Sequence, residues 1–189
     1  MSLSDDVDTI ADVAKIICDY YITEKLLLKR KPKRKRKRCY GNCEYSECFR
    51  RAGHVLERLY PNVYTDVSRK ISVTMTSSTV VKTDLSSVLE ILFRDGVTWG
   101  KIVSMFAVSS CFAEECIQQG HSEFVDDVID CVGTFTAVHL REWLTKEGGW
   151  GGFEPLLEEK KEFKVHIIVD VLGLLVIFIL VLALLLLLR

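Results

Sequence analysis

Nothing in this sequence alternates. No stretch of useful length carries the every-second-residue apolar pattern of a half-buried strand, which excludes a sheet-based domain. A phosphate-binding glycine loop, a Gly-x-Ser-x-Gly elbow and a His-Glu-x-x-His pair are equally absent, and the four histidines stand apart at 54, 121, 139 and 166. The signatures of nucleotide, acyl-transfer and zinc-hydrolase chemistry are missing, so no enzyme is expected. No apolar run follows a basic start either. "MSLSDDVDTIADV" is acidic, so no secretory signal is read and the body of the protein is expected in the cytosol.

The chain also lacks a net charge to speak of. With 49% hydrophobic residues and a formal charge of −1 over 189 residues, disorder is excluded and one globular domain with a substantial core is expected. That near-zero total conceals segregation. Residues 1–28 hold six acids against two lysines, whereas "KRKPKRKRKR" at 29–38 has nine basic residues broken only by Pro32. Mutual repulsion and the proline make this run a solvated linker, within a region 29–42. No aromatic interleaves it, so nucleic acid is not the expected partner. Anionic lipid, simple solvation or a nuclear import signal remain open for it.

Seven cysteines, an odd number without a secretory signal, point to reduced thiols rather than a disulfide framework. Cys39, Cys43 and Cys48 crowd together, but only His54 is near enough to join them. A tetrahedral zinc set is not expected, nor is any other cofactor.

One long apolar run is present, and it sits at the far end. "VLGLLVIFILVLALLLLL", 171–188, is 18 uncharged residues, which as a helix extend about 27 Å against a hydrocarbon core of about 30 Å. It reads as a transmembrane tail anchor behind a juxtamembrane linker, 158–170. Lys160, Lys161 and Lys164 on the near side keep the domain cytosolic.

Between these ends the apolar spacing is helical throughout. A first amphipathic helix is expected in 1–28, running from about Asp6 to Lys29, with Ile10, Val13, Ile17, Tyr20 or Tyr21, Glu24 and Leu27 along one face. Tyr45, Phe49, Ala52, Leu56 and Leu59 form a stripe on a second helix that Pro61 ends. Gly53 lies beside that stripe, where it costs about 1 kcal/mol relative to alanine unless another surface must come close. A short helix from Asn62 to about Ile71 follows, then a Ser/Thr loop, then a helix capped by Asp84. Within 98–117, Ile102 through Phe112 are apolar nearly all round, as befits a central buried helix with Thr98 as its cap. Its partner runs from Glu123 to about Lys146 and carries Phe124, Val128, Cys131, Val132, Phe135, Val138, Leu140 and Trp143, with His139 read as a packing residue. Glycines in "KEGGWGGF" stop that helix. The fold class is all-α.

These residues resemble a known family. "DGVTWGKIVSMFAVSS" followed by "WLTKEGGWGGF" is similar to the first and second homology motifs of the Bcl-2 family of apoptosis regulators, and "YPNVYTDVSRKISV" and "IDCVGTF" point to its Bok branch. The resemblance covers Cys43 to Phe153 well and the basic linker not at all. It implies a Bcl-2-like bundle, 43–157, around a central hydrophobic hairpin, carried by a C-terminal anchor in the mitochondrial outer membrane or the endoplasmic reticulum.

It further implies a groove that receives an amphipathic helix. Its candidate lining is Leu89, Leu92, Phe93, Val97, Trp99, Val103 and Phe106, which also read as core, with Gly100 and Lys101 at the helix entrance favouring the site. Tyr45, Phe49, Ala52 and Leu56 map to the anchors of the third, death-motif helix, and Gly53 maps to its small residue. His54 stands where the family has an aspartate. Trp143, Trp150 and Phe153 are the aromatics of the second motif. The implied partners are amphipathic helices of family members, membrane lipid and a second copy of the chain. Two activities remain open: a pro-apoptotic effector that permeabilises membranes, and a pro-survival protein that sequesters death-motif helices.

Overall fold

The computed structural model describes residues 3–29, 44–59, 61 and 75–153, and among them every regular element is a helix. Helix α1 spans Leu3–Lys29, α2 Glu44–Leu59, α3 Ser78–Phe93, α4 Trp99–Gln118, α5 Val125–Phe135 and α6 Arg141–Lys146. Short 3₁₀ turns lie at Ser122–Phe124 and Gly149–Phe153, and a π-turn at Thr136–Leu140 joins α5 to α6. The helix expected at 62–71, the basic linker and the 171–188 anchor fall outside the described residues. No described helix is long and apolar enough to cross a membrane.

Helix α4 is the axis, because its sequence offers water almost nothing: every residue from Trp99 to Cys116 is buried. Thr98 caps it, its Oγ1 accepting the Lys101 N–H at 3.3 Å. Around it pack α1, α2, α3 and α5. Helix α1 buries Ala14, Ile17, Cys18, Tyr21 and Ile22, an i, i+3, i+4, i+7, i+8 face, while Leu27 at the end of the expected stripe is 48% exposed. A Lys15–Asp130 ion pair at 2.9 Å ties α1 to α5.

Three sequence expectations need correction. Helix α3 begins at Ser78, within the expected loop: Ser77 is the cap, its Oγ accepting the Val80 N–H at 3.3 Å, and Asp84 lies inside the helix. Burial of Val81 recruits those Ser/Thr residues into a helix that their own propensity disfavours. The expected 123–146 helix is interrupted by the π-turn, which inserts one residue into the repeat. Leu140 and Leu144 therefore face the core, whereas Val138 is 68% exposed and His139 is exposed, tilted against the Phe135 ring at 4.5 Å. The left-handed turn at Gly148 (φ +84°) ends α6 and returns Trp150 and Phe153 to the core.

Candidate functional site

Helix α2 has two faces with different duties. Its apolar stripe turns inward as far as Leu56: Phe49, Ala52 and Leu56 are buried and Tyr45 is half-buried, whereas Leu59, expected on the same stripe, is 44% exposed at the helix end. Phe49 stacks on Phe153 with ring centres 4.2 Å apart and meets the edges of Phe106 (5.4 Å) and Trp150 (5.6 Å). Trp99 closes the nest, 6.2 Å from Phe49 and 5.0 Å from Trp143. Such pairs add about 0.5 to 1.5 kcal/mol each beyond area burial, which makes Phe49 the residue that holds α2 down.

The structure thus brings three separate stretches of the sequence together: the third-motif anchors, Trp99 and Phe106 from the candidate groove, and the second-motif aromatics. Leu89, Leu92, Val103 and Gly100 are buried too. Phe93 and Val97 are half-buried, and Phe93 leans on Phe135 at 5.6 Å, away from the nest.

Lys101 and His54 are not brought together. Lys101 is buried, and its Nζ donates to the Gly96 carbonyl at 2.9 Å, closing the turn between α3 and α4. This lysine is neither exposed nor set facing α2's exposed histidine. His54 lies instead in a shallow cleft between α1 and α2, with Tyr21, Glu24, Lys25, Arg50 and Glu57.

Around that cleft runs a polar seam which the sequence pattern did not single out. Tyr20 donates to Glu47 at 3.1 Å, and Arg50 and Arg51 donate to the same carboxylate from one turn further on. Hydrogen bonds from Arg50 outweigh the effect of burial and hold the Glu47 carboxyl down at about 2. Tyr21 donates to Glu57 at 3.2 Å, and Lys25 donates to both Glu57 and Ser110 at 3.0 Å. Burial opposes the charge on Lys25, but Cys111 and Glu57 beside it more than offset that and its amine titrates above the usual range. The i+3 and i+4 spacing of Glu47, Arg50 and Arg51 was a legible signal. The reach of Lys25 across to α4 was not.

Five described cysteines, Cys18, Cys48, Cys111, Cys116 and Cys131, are free, and burial pushes the Cys18 thiol far above its ordinary range. No metal-binding group of His, Cys, Asp and Glu occurs among the described residues.

Comparison with known proteins places this geometry. Residues 49–150 match the family described as apoptosis regulator proteins, Bcl-2 family. The chain is 34% identical to the Bcl-2-related ovarian killer protein of Gallus gallus over 142 residues, covering 72% of this chain and 67% of that one. It is 37% identical to the human protein of that name over 100 residues, covering 53% and 47%. The aligned region thus spans about two thirds of the chicken relative and about half of the human one. Among solved structures, chicken BOK superposes with a TM-score of 0.69 at 30% identity, covering 79% of this chain and 97% of that one. The complex of Trichoplax adhaerens trBcl-2L2 with trBak BH3 gives 0.66 at 25% identity, covering 77% and 97%.

Proposed function

Since this chain belongs to the Bcl-2 family of apoptosis regulator proteins, which are regulators and not enzymes, we propose that it is a Bok-like, pro-apoptotic effector that permeabilises the mitochondrial outer membrane. The observation that carries this reading is the seating of Phe49. In the closed bundle the chain's own death-motif helix fills the aromatic nest of Trp99, Phe106, Trp150 and Phe153. When α2 leaves, that centre and its rim from Leu89 to Phe106 become the groove for an amphipathic helix, either another family member's or a second copy's. Capture of a BH3 segment by trBcl-2L2, a protein of the same fold, supports groove binding here.

Residues 171–188 anchor the chain, in the outer mitochondrial membrane or the endoplasmic reticulum, and the basic run 29–38 meets anionic headgroups. The hairpin of α4 and α5 turns its apolar side to the bilayer once the bundle opens. The groove's one buried cation, Lys101, is engaged by Gly96, so an acidic partner residue has to compete with that carbonyl.

The test is dye release from liposomes of mitochondrial outer-membrane composition by the purified full chain. Release supports the effector reading. Absence of release, together with protection against a known permeabiliser, overturns it in favour of a pro-survival protein that sequesters death-motif helices.

A further inference from the structure

Gly53 lies one position round the helix from Ala52, so it looks away from the aromatic nest and toward α1. A Cβ built on it would fall within the Tyr21 ring, overlapping the hydroxyl and the adjacent ring carbons. That ring has little room to yield. Tyr21 is buried, its hydroxyl donates to Glu57 Oε1 at 3.2 Å, and the same oxygen accepts from Lys25 Nζ. Lys25, whose side chain is 14% exposed, carries the connection on to Ser110 of α4 at 3.0 Å. One continuous line of contacts therefore runs from α2 through α1 into the central helix.

We infer that this line is an autoinhibitory latch: Tyr21 seated on Gly53, with Lys25 bonded to Glu57 and Ser110, keeps the apolar face of α2 in the bundle. The inference deepens the effector reading by naming what holds the death-motif helix shut. The glycine acts as a socket for α1 in the closed chain, a role distinct from any it has in a ligand helix. Because Lys25 is bonded on both sides, α2 does not leave α4 while α1 stays in place, and the two helices release as one step. Loss of the socket uncouples them, since a side chain at position 53 pushes the Tyr21 ring off α2 and breaks its bond to Glu57.

The test is a double-mutant cycle in the full chain, read by amide hydrogen exchange over residues 44–59. Gly53→Ala is expected to speed exchange there at least tenfold. In a Tyr21→Ala background, where the ring is gone, the same substitution is expected to slow exchange, because alanine is the better helix former. The same sign in both backgrounds overturns the latch. If Gly53→Ala does not fold, recovery of the fold on adding Tyr21→Ala supports it, and failure to recover overturns it. This readout needs no membrane, so failure of dye release sinks the effector reading without touching the latch.

Discussion

A buried hydroxyl with nothing to bond is a standing cost, and α4 carries two that find no partner among the described residues, Ser104 Oγ and Ser109 Oγ. Ser109→Ala removes one and adds helix propensity, so it should raise unfolding free energy by about 1 kcal/mol in denaturant melts. Glu47 tests the opposite kind of residue, one that is well served. Its carboxyl lies near 2 in the fold against an ordinary 4.5, so its bonds stabilise fully above about 4.5 and are lost as pH falls toward 2. Glu47→Gln should therefore lower the melting temperature at pH 7, with the gap closing by pH 2. His54 bears on ligand strength: in a peptide of residues 43–61, His54→Asp should tighten binding to a family groove about tenfold by calorimetry, the effect of about 1.4 kcal/mol from a charge-assisted bond. Of these positions, the sequence exposed Gly53 and His54 as anomalies. It could not say that Tyr21 occupies the space beside Gly53, because neither helix's apolar spacing fixes its register against the other.

Helix α3 shows how an element escapes a pattern reading. Ser78 to Thr83 is rich in β-branched and hydroxyl residues that disfavour a helix, and the burial of Val81 together with the Lys82–Asp127 ion pair at 2.9 Å outweighs it. Ser77, not Asp84, should consequently behave as the cap: Ser77→Ala is expected to cost 0.5–2 kcal/mol, typically about 1, measured by thermal unfolding. Helices α2 and α4 were plain in the sequence, since the 4, 3, 4, 3 spacing from Tyr45 to Leu59 and the run around Met105 leave no other solution. The polar seam between α1 and α2 was not, because it joins residues about thirty positions apart with no periodicity to announce them.

At the scale of the whole molecule, charge is segregated along the chain, with nine basic residues in 29–38 after six acids in 1–28. Each lysine or arginine near an anionic surface contributes about 1 kcal/mol, so the nine in 29–38 should make the full chain favour anionic over neutral vesicles beyond what its proposed tail anchor gives. Replacing them with glutamine should weaken binding to anionic vesicles and flatten its dependence on salt in co-sedimentation, while neutral vesicles show little difference. The family motifs that made the fold readable are local, whereas the nest they build is not. Phe49, Trp99 and Phe153 meet from three separate elements. The π-turn at Thr136–Leu140 lies on the path to Trp143, Trp150 and Phe153. It amounts to one surplus residue stored in a helix, worth about 100° of rotation for everything after it. Deleting Ala137 would restore an ordinary α-helix and swing Trp143 off Trp99, taking the aim of Trp150 and Phe153 with it. Counting residues in this one turn thus serves the bundle as a tuning screw, adjusting a distant aromatic contact with no change of chemistry.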